Sequence, residues 1–196
     1  MNKNVIQEKL NTKIIGKNII VYESIDSTKE EIKKLNLNSG SVVIAEEQSA
    51  GQGTHGRVWH TGNNGKNIAL SFILHPNCDI SKIENITIII AKCVVNTFKK
   101  LYNINLDIKY PNDIVHDAKK IGGILTQTKI RGKIVKKIYI GIGLNILQEE
   151  FNQEITDIAT SIKKEFNIEC SREEIIATFF NLFENEYLKL VEGTYE

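Results

Sequence analysis

The sequence predicts an α+β fold, a mixed, largely antiparallel β-sheet flanked by helices. Three observations predict it. Apolar, β-branched runs come in groups between helical segments, without the strict alternation that builds a parallel sheet. Arg131-Gly132 separates two long β-rich runs, Ile121–Ile130 and Lys133–Leu147, and reads as a hairpin turn. Helical spacing is confined to a few segments, among them Ile80–Tyr102 through Ile83, Ile86, Ile90, Val94, Phe98 and Leu101.

Asn18–Ile25 reads as the first strand. Ser27-Thr28-Lys29-Glu30 is a capping-box pattern that opens a helix to about Leu35. Ser41–Glu46 and Asn67–Leu74 are strands, separated by a loop over Gln48–Lys66 that holds Gly51, Gly53, Gly56, Gly62 and Gly65. After the helical run Ile80–Tyr102 come a strand over Leu106–Tyr110, a Pro-Asn-Asp turn, and a short strand at Ile114–Val115. The hairpin follows, then two helices over about Gln153–Phe166 and Arg172–Val191, the second opened by a capping box at Ser171 and Glu174.

A length of 196 residues suits one domain with a real core, and residues 1–196 are expected to be a single domain. With 25 basic and 24 acidic residues the net charge is +1, which argues against coating nucleic acid by bulk attraction. The longest uncharged stretch, Asn67–Cys78, is 12 residues, too short for a membrane span of about 20. The N-terminus has no apolar core or cleavage site of a secretion signal. Cys78, Cys93 and Cys170 are odd in number and widely spaced, which fits neither a disulfide framework nor a zinc site. The expected compartment is therefore the reducing cytoplasm. Charge is uneven: Leu106–Ile140 has eight basic and three acidic residues, while Glu149–Glu196 has four basic and 12 acidic.

Gly51-Gln52-Gly53-Thr54-His55-Gly56 matches the letters of a dinucleotide-binding G-x-G-x-x-G, but its context is wrong. Arg57-Val58-Trp59-His60-Thr61-Gly62 follows, which does not open the helix that would hold a pyrophosphate. Gly56 is followed by Arg57-Val58, so it is not a P-loop either. What remains is a glycine loop whose backbone N–H groups can approach an anion, with an Arg for phosphate and a Trp for stacking. Arg57 is one of only three arginines. His55, His60, His75 and His116 show no metal-site spacing, and none is assigned as a general base.

Four segments are informative together. They are Asp26-Ser27-Thr28, the stretch Ala45–Trp59, Lys109-Tyr110-Pro111-Asn112-Asp113 with Lys119-Lys120-Ile121-Gly122-Gly123-Ile124-Leu125, and Gly141-Ile142-Gly143-Leu144-Asn145. In this order and spacing they resemble the catalytic domain of biotin–protein ligases, from about Asn18 to Leu147. The resemblance implies a class II aminoacyl-tRNA synthetase-like, biotin–lipoate ligase fold. It also implies a two-step enzyme: biotin and ATP give biotinyl-adenylate and pyrophosphate, and the adenylate then acylates a lysine of a biotin carboxyl carrier protein. On that basis Lys120 lies between the biotin carboxylate and the α-phosphate, while Arg57 and Lys109 hold phosphate oxygens. Asp113 is the contact for Mg²⁺, which favours one or two carboxylates plus phosphates. Asn112 fixes metal or phosphate geometry, Trp59 packs on the adenylate and Asn145 contacts it. Ser27, Thr28 and Gln48 bond the ureido ring, and Gly51, Gly123, Leu125 and Gly141 line the rest of the biotin site. Each residue also has a structural alternative. Asp113 can terminate a turn, Lys120 can guard a strand edge, Gly141 and Gly143 can be ordinary strand glycines, and Ser27 can be only an N-cap.

The sequence departs from the family pattern where Gln52, Thr54 and His55 stand in place of common arginines, so looser retention of the adenylate is expected. Tyr110 stands where Trp is usual, and Gln127 where an acid is common. Neither an N-terminal helix-turn-helix domain nor a C-terminal β-barrel is expected, and hence no DNA partner; a homodimer partner is an alternative source of the barrel's contacts. Competing functions are a lipoate or octanoate ligase of the same fold, a non-catalytic biotin or adenylate sensor, and a nucleic-acid module built on the basic hairpin. The hairpin lacks the clustered aromatics that the last would use.

Overall fold

The structure is a computed structural model that describes residues 1–59 and 65–193. His60 and Gly62 of the glycine loop lie outside the described residues. Among the described residues eight strands form one sheet: β1 (Ile19–Ile25), β2 (Val42–Gln48), β3 (Ile68–Leu74), β4 (Cys78–Asp79), β5 (Asp107–Lys109), β6 (Asp113–His116), β7 (Lys119–Arg131) and β8 (Ile134–Leu144). Their order is β1-β2-β3-β8-β7-β6-β5, with β4 pairing β8. Among the described strands only β1 and β2 pair with each other in parallel, because α2 (Thr28–Lys34) crosses between them; every other strand–strand pairing is antiparallel, and a single parallel bridge joins Lys120 of β7 to Ala159. The remaining helices are α1 (Lys3–Glu8), α3 (Ile86–Tyr102), α4 (Ile162–Phe166) and α5 (Arg172–Glu192). The architecture is the α+β mixed sheet that the sequence predicts, with the hairpin turning at Gly132 at a φ of 63°.

Three expectations change. The helix expected over Gln153–Phe166 shrinks to α4. The segment before it exchanges backbone hydrogen bonds with β7 instead: Lys120 donates to Ile158 at 2.8 Å, and Thr160 donates to Lys120 at 2.9 Å. The single helix expected over Ile80–Tyr102 is split into a 3₁₀ turn at Ile80–Ile83 and α3. Asp79 Oδ1 caps the first piece by accepting from Ser81 N at 3.0 Å, and Asn85 opens the second. The capping box at Ser27 places α2 correctly, yet the Ser27 side chain makes no capping bond. By contrast, Ser171 Oγ caps α5 by accepting from Glu174 N at 3.2 Å.

The period-2 alternation of the central strands sorts the two faces of the sheet. Val42, Ile44, Leu70, Phe72, Ile138, Ile140, Ile142 and Leu144 face the main core, where α3 and α5 cover them. Phe72 is fully buried there, with edge contacts to Phe180 at 5.3 Å and Phe183 at 5.6 Å between ring centroids. On the opposite face Val43, Ile73 and Tyr139 pack against Ile32 of α2. α5 is further tied to the loop after α1 by the buried Glu184, whose carboxylate accepts from the backbone N–H groups of Lys13, Ile14 and Ile15. The three cysteines are free and buried, and burial pushes the Cys93 thiol up to about 12. Among the described residues no helix is long and apolar enough to cross a membrane.

Candidate active site

The α2 face of the sheet carries hydrophobic residues at one end and small ones at the other. Cross-strand register sets Val43, Ser71, Gly141 and Leu125 in one row, and Ala45, Ala69, Gly143, Gly123, Asp113 and Lys109 in the next. Where these rows shrink to Ser and Gly the sheet surface is recessed. The recess is a pocket of about 490 Å³, counting its open mouth, lined among others by Ser27, Gln48, Ser71, Lys120, Leu125 and Gly141. A Cβ on Gly141 would stand 3.5 Å from Ser71 Oγ and 3.9 Å from Leu125 Cβ, ordinary contacts. The fold therefore tolerates a side chain there, and it is the pocket that a larger one would fill.

Polar groups gather at one end. Gln48 Oε1 accepts from Thr28 N at 2.8 Å and from Thr28 Oγ1 at 3.0 Å, and Thr28 Oγ1 lies 2.9 Å from Ser71 Oγ. This network joins α2, β2 and β3 with all its members fixed, so the donors and acceptors it offers are preorganised. Ser71 also lines this pocket and is not among the residues expected from the sequence. Its signal is visible: it is the only hydroxyl in a strand buried along its whole length.

The glycine loop closes over the pocket as a small hairpin. Gly53 N donates to Arg57 O at 2.7 Å, and Trp59 N donates to Gly51 O at 2.8 Å. A Cβ on Gly51 would collide with the Trp59 carbonyl, so loop closure requires a glycine there, and Gly51 is not among the residues lining this pocket. The Trp59 indole lies on Gly143, where any Cβ would collide with the ring. Its Nε1 is buried with no acceptor among the described residues. An orphaned buried donor is costly, which marks it as a group to be met by a bound molecule.

Beyond Trp59 lies a second pocket of about 730 Å³, lined by Arg57, Val58, Trp59, Lys120, Asn145, Phe151, Ile155 and Ile158 among others. Gly53, Thr54, Trp59 and Lys120 line both pockets, so Lys120 stands at their junction. Lys120 Nζ donates to Asp113 Oδ1 at 2.6 Å and lies 5.9 Å from the centre of the Trp59 ring. Gly123 leaves room for this pair, since a Cβ there would sit 3.2 Å from Lys120 Nζ.

Most of the expected site residues are thus brought together, with differences. Ser27, Gln48, Gly123, Leu125, Gly141 and Asn112 line the first pocket, and Arg57 and Asn145 the second. Thr28 stands behind Gln48 and Ser71. Asp113 lines neither pocket and holds Lys120 from below. Asn112 Nδ2 donates to Ile124 O at 3.1 Å, and Ile124 N donates to Asn112 O at 2.9 Å, so this residue fastens the Pro-Asn-Asp turn to β7. Asn145 Nδ2 donates to Thr160 O at 3.0 Å. The Arg57 guanidinium bonds within its own loop, to Thr54 O at 3.3 Å and Thr54 Oγ1 at 3.2 Å. Lys109 is exposed on the edge strand β5 and lines neither pocket. Phe151, Ile155 and Ile158 are not among the expected site residues: the last two fall in the stretch whose spacing suits a helix packed on a core, and Phe151 lies just before it.

This sheet and its flanking helices form the fold seen in solved biotin protein ligases. The biotin protein ligase from Aquifex aeolicus in complex with biotin and ATP superposes with a TM-score of 0.77 at 27% identity, covering 90% of this chain and 72% of that one. The Leishmania major biotin protein ligase in complex with biotinyl-5-AMP gives a TM-score of 0.70 at 22% identity, covering 91% and 80%, and shares the fold. The chain belongs to the Biotin/lipoate A/B protein ligase family, whose sequence model matches residues 21–145. Among curated proteins, the bifunctional ligase/repressor BirA of Bacillus subtilis (strain 168) is 33% identical over 192 residues, covering 95% of this chain. The chain spans 59% of that relative's length.

Proposed function

We propose that this domain is the catalytic unit of a biotin–protein ligase. The observation that carries the reading is the position of Lys120, at the junction of a polar-ended pocket and a second, more apolar pocket. Activating an acid with ATP requires a carboxylate to approach a phosphate, and the two repel. A preorganised ammonium at their meeting point neutralises both, and gains most as charge develops in the transition state.

In the first step a biotin carboxylate oxygen bonds to the α-phosphorus and pyrophosphate leaves. The polar network of Thr28, Gln48 and Ser71, with Ser27, matches a ureido head, which presents both donors and an acceptor. The shallow floor of Gly123, Leu125 and Gly141 matches its apolar remainder. The nucleotide occupies the second pocket, between Trp59 and the Phe151, Ile155 and Ile158 wall, with Arg57 at its rim. In the second step the amine of a carrier lysine bonds to the acyl carbon, AMP leaves, and the amine gives up a proton. Mg²⁺ would enter on the nucleotide. Among the described residues no group of three or more His, Cys, Asp or Glu side chains could hold a metal. The donor set therefore fits an ion bound mainly by phosphate oxygens, with Asp113, held beside the pockets by Lys120, as the carboxylate that would contact it. Such an ion would withdraw charge from the phosphates. The acceptor implied is a biotin carboxyl carrier protein, modified in the cytoplasm.

The test is mass-detected acyl transfer to a carrier domain from ATP with biotin or with lipoate. Biotin on one carrier lysine is the expected result, and lipoate transfer would shift the reading to the lipoate branch of the family. A second measurement addresses the pocket. Gly141→Val is expected to raise the biotin KM tenfold or more while leaving the Tm within a few degrees, because its Cβ has room and its methyls do not. An unchanged KM would remove Gly141 from the biotin wall.

A further inference from the structure

The glycine loop lacks arginine at positions 52, 54 and 55, and Arg57 faces the second pocket. Another cation, besides Lys120, lines the first pocket. Lys29, in the first turn of α2, lines that pocket, and its side chain is 13% exposed. Its Nζ donates to Gln52 Oε1 at 2.5 Å, across the pocket mouth from helix to loop. Gln52 in turn bridges Val58 in the small hairpin that carries Trp59. The loop is thus held at two points, by the Trp59 ring on Gly143 and by Lys29 on Gln52.

The placement of Lys29 is not explained by the helix. A cation in the first turn gains nothing from the helix dipole, which favours the Glu30 and Glu31 that accompany it. Its nearest carboxylate oxygen is Glu30 Oε1 at 3.6 Å, longer than its bond to Gln52.

We infer that Lys29 is a positioning residue that latches the glycine loop over the acid pocket through Gln52, and thereby sets how long the acyl-adenylate stays bound. This rests on the ligase reading above. In that reading the acyl-adenylate lies between the sheet and the loop, because Gln52, Gly53, Thr54 and Trp59 of the loop line the pocket, so lifting the loop frees it. Loop opening must break the Lys29–Gln52 bond, a charge-assisted one.

The experiment measures release of biotinyl-adenylate from the protein, preloaded with biotin and ATP, by rapid gel filtration and mass detection. Lys29→Met is expected to speed release about tenfold, the scale of one charged hydrogen bond. Gln52→Leu is expected to do the same, the double variant to be no faster than either single one, and Lys29→Arg to restore slow release. Release within twofold of the parent for Lys29→Met, or additive effects in the double variant, would overturn the latch. A parent that makes no adenylate would instead refute the ligase reading and with it the retention role. Trypsin cleavage after the exposed Arg57 in the ligand-free protein then judges the contact alone. Faster cleavage in Lys29→Met supports a latch on the loop, and an equal rate refutes it.

Discussion

Replacing Phe72 with Ala is expected to destabilise the fold by about 3–5 kcal/mol, the range for a fully buried Phe whose cavity cannot collapse. Phe72 is central to β3 and meets Phe179, Phe180 and Phe183 of α5 at centroid distances of 6.3, 5.3 and 5.6 Å. Those three rings come from one rigid helix, and the sheet below is fixed by pairing to β2 and β8, so neither side can move in to fill the space. A domain of this size should lose roughly 6–20 °C in Tm. Thermal and urea unfolding would measure it, with the midpoint falling and the slope unchanged. A Tm loss below about 3 °C would mean that α5 is not packed on this face. The consequence for function is indirect: Ser71 is the residue before Phe72 and faces the opposite side, so β3 carries the acid pocket on the back of the aromatic core.

That arrangement also shows what the sequence made legible. The strands stand out because apolar and β-branched residues alternate or cluster between turn signals, and the hairpin because Arg131-Gly132 interrupts one long run. Ser27, Gln48, Lys120 and Gly141 were reachable because their segments resemble a family pattern in order and spacing. Pairing across the sheet is not local, so nothing in the chain order announces that Ser71, Gly141 and Leu125 share a row. Nor does it announce that Gly143 is the bed for Trp59. Ile155 and Ile158 fall within the stretch expected to be helical, over about Gln153–Phe166. Their three-residue spacing fits a helix face, yet with Phe151 they line an open pocket, because the preceding β7 offers Lys120's backbone groups as partners. Lys29 was hidden for the opposite reason: a lysine on a short helix is ordinarily a solvated one, and only the loop's return brings Gln52 to it.

Lys120→Ala should lower the rate of biotinyl-adenylate formation by a hundredfold or more, the usual loss when one preorganised charge is removed from a site of developing negative charge. The fold should survive. The Lys120 backbone keeps its bonds to Ile158 and Thr160, and a partly exposed pair such as Lys120–Asp113 contributes about 0–1 kcal/mol to stability. Comparison with Asp113→Asn separates two roles for the carboxylate. If Asp113 acts by aiming Lys120, Asp113→Asn lowers adenylate formation more modestly, about tenfold, and adds nothing once Lys120 is gone. If it acts on the nucleotide through Mg²⁺, its effect persists in the double variant and shifts the Mg²⁺ concentration needed for half-maximal rate. Single-turnover formation of adenylate, followed by mass at several Mg²⁺ concentrations, measures both. Acyl transfer from synthetic biotinyl-adenylate to a carrier domain provides the control, since that step no longer brings a carboxylate to a phosphate. Lys120→Ala should depress it far less. Equal losses in the two steps would show that Lys120 only holds the ligand, and that the charge at the junction of the pockets is not what drives activation.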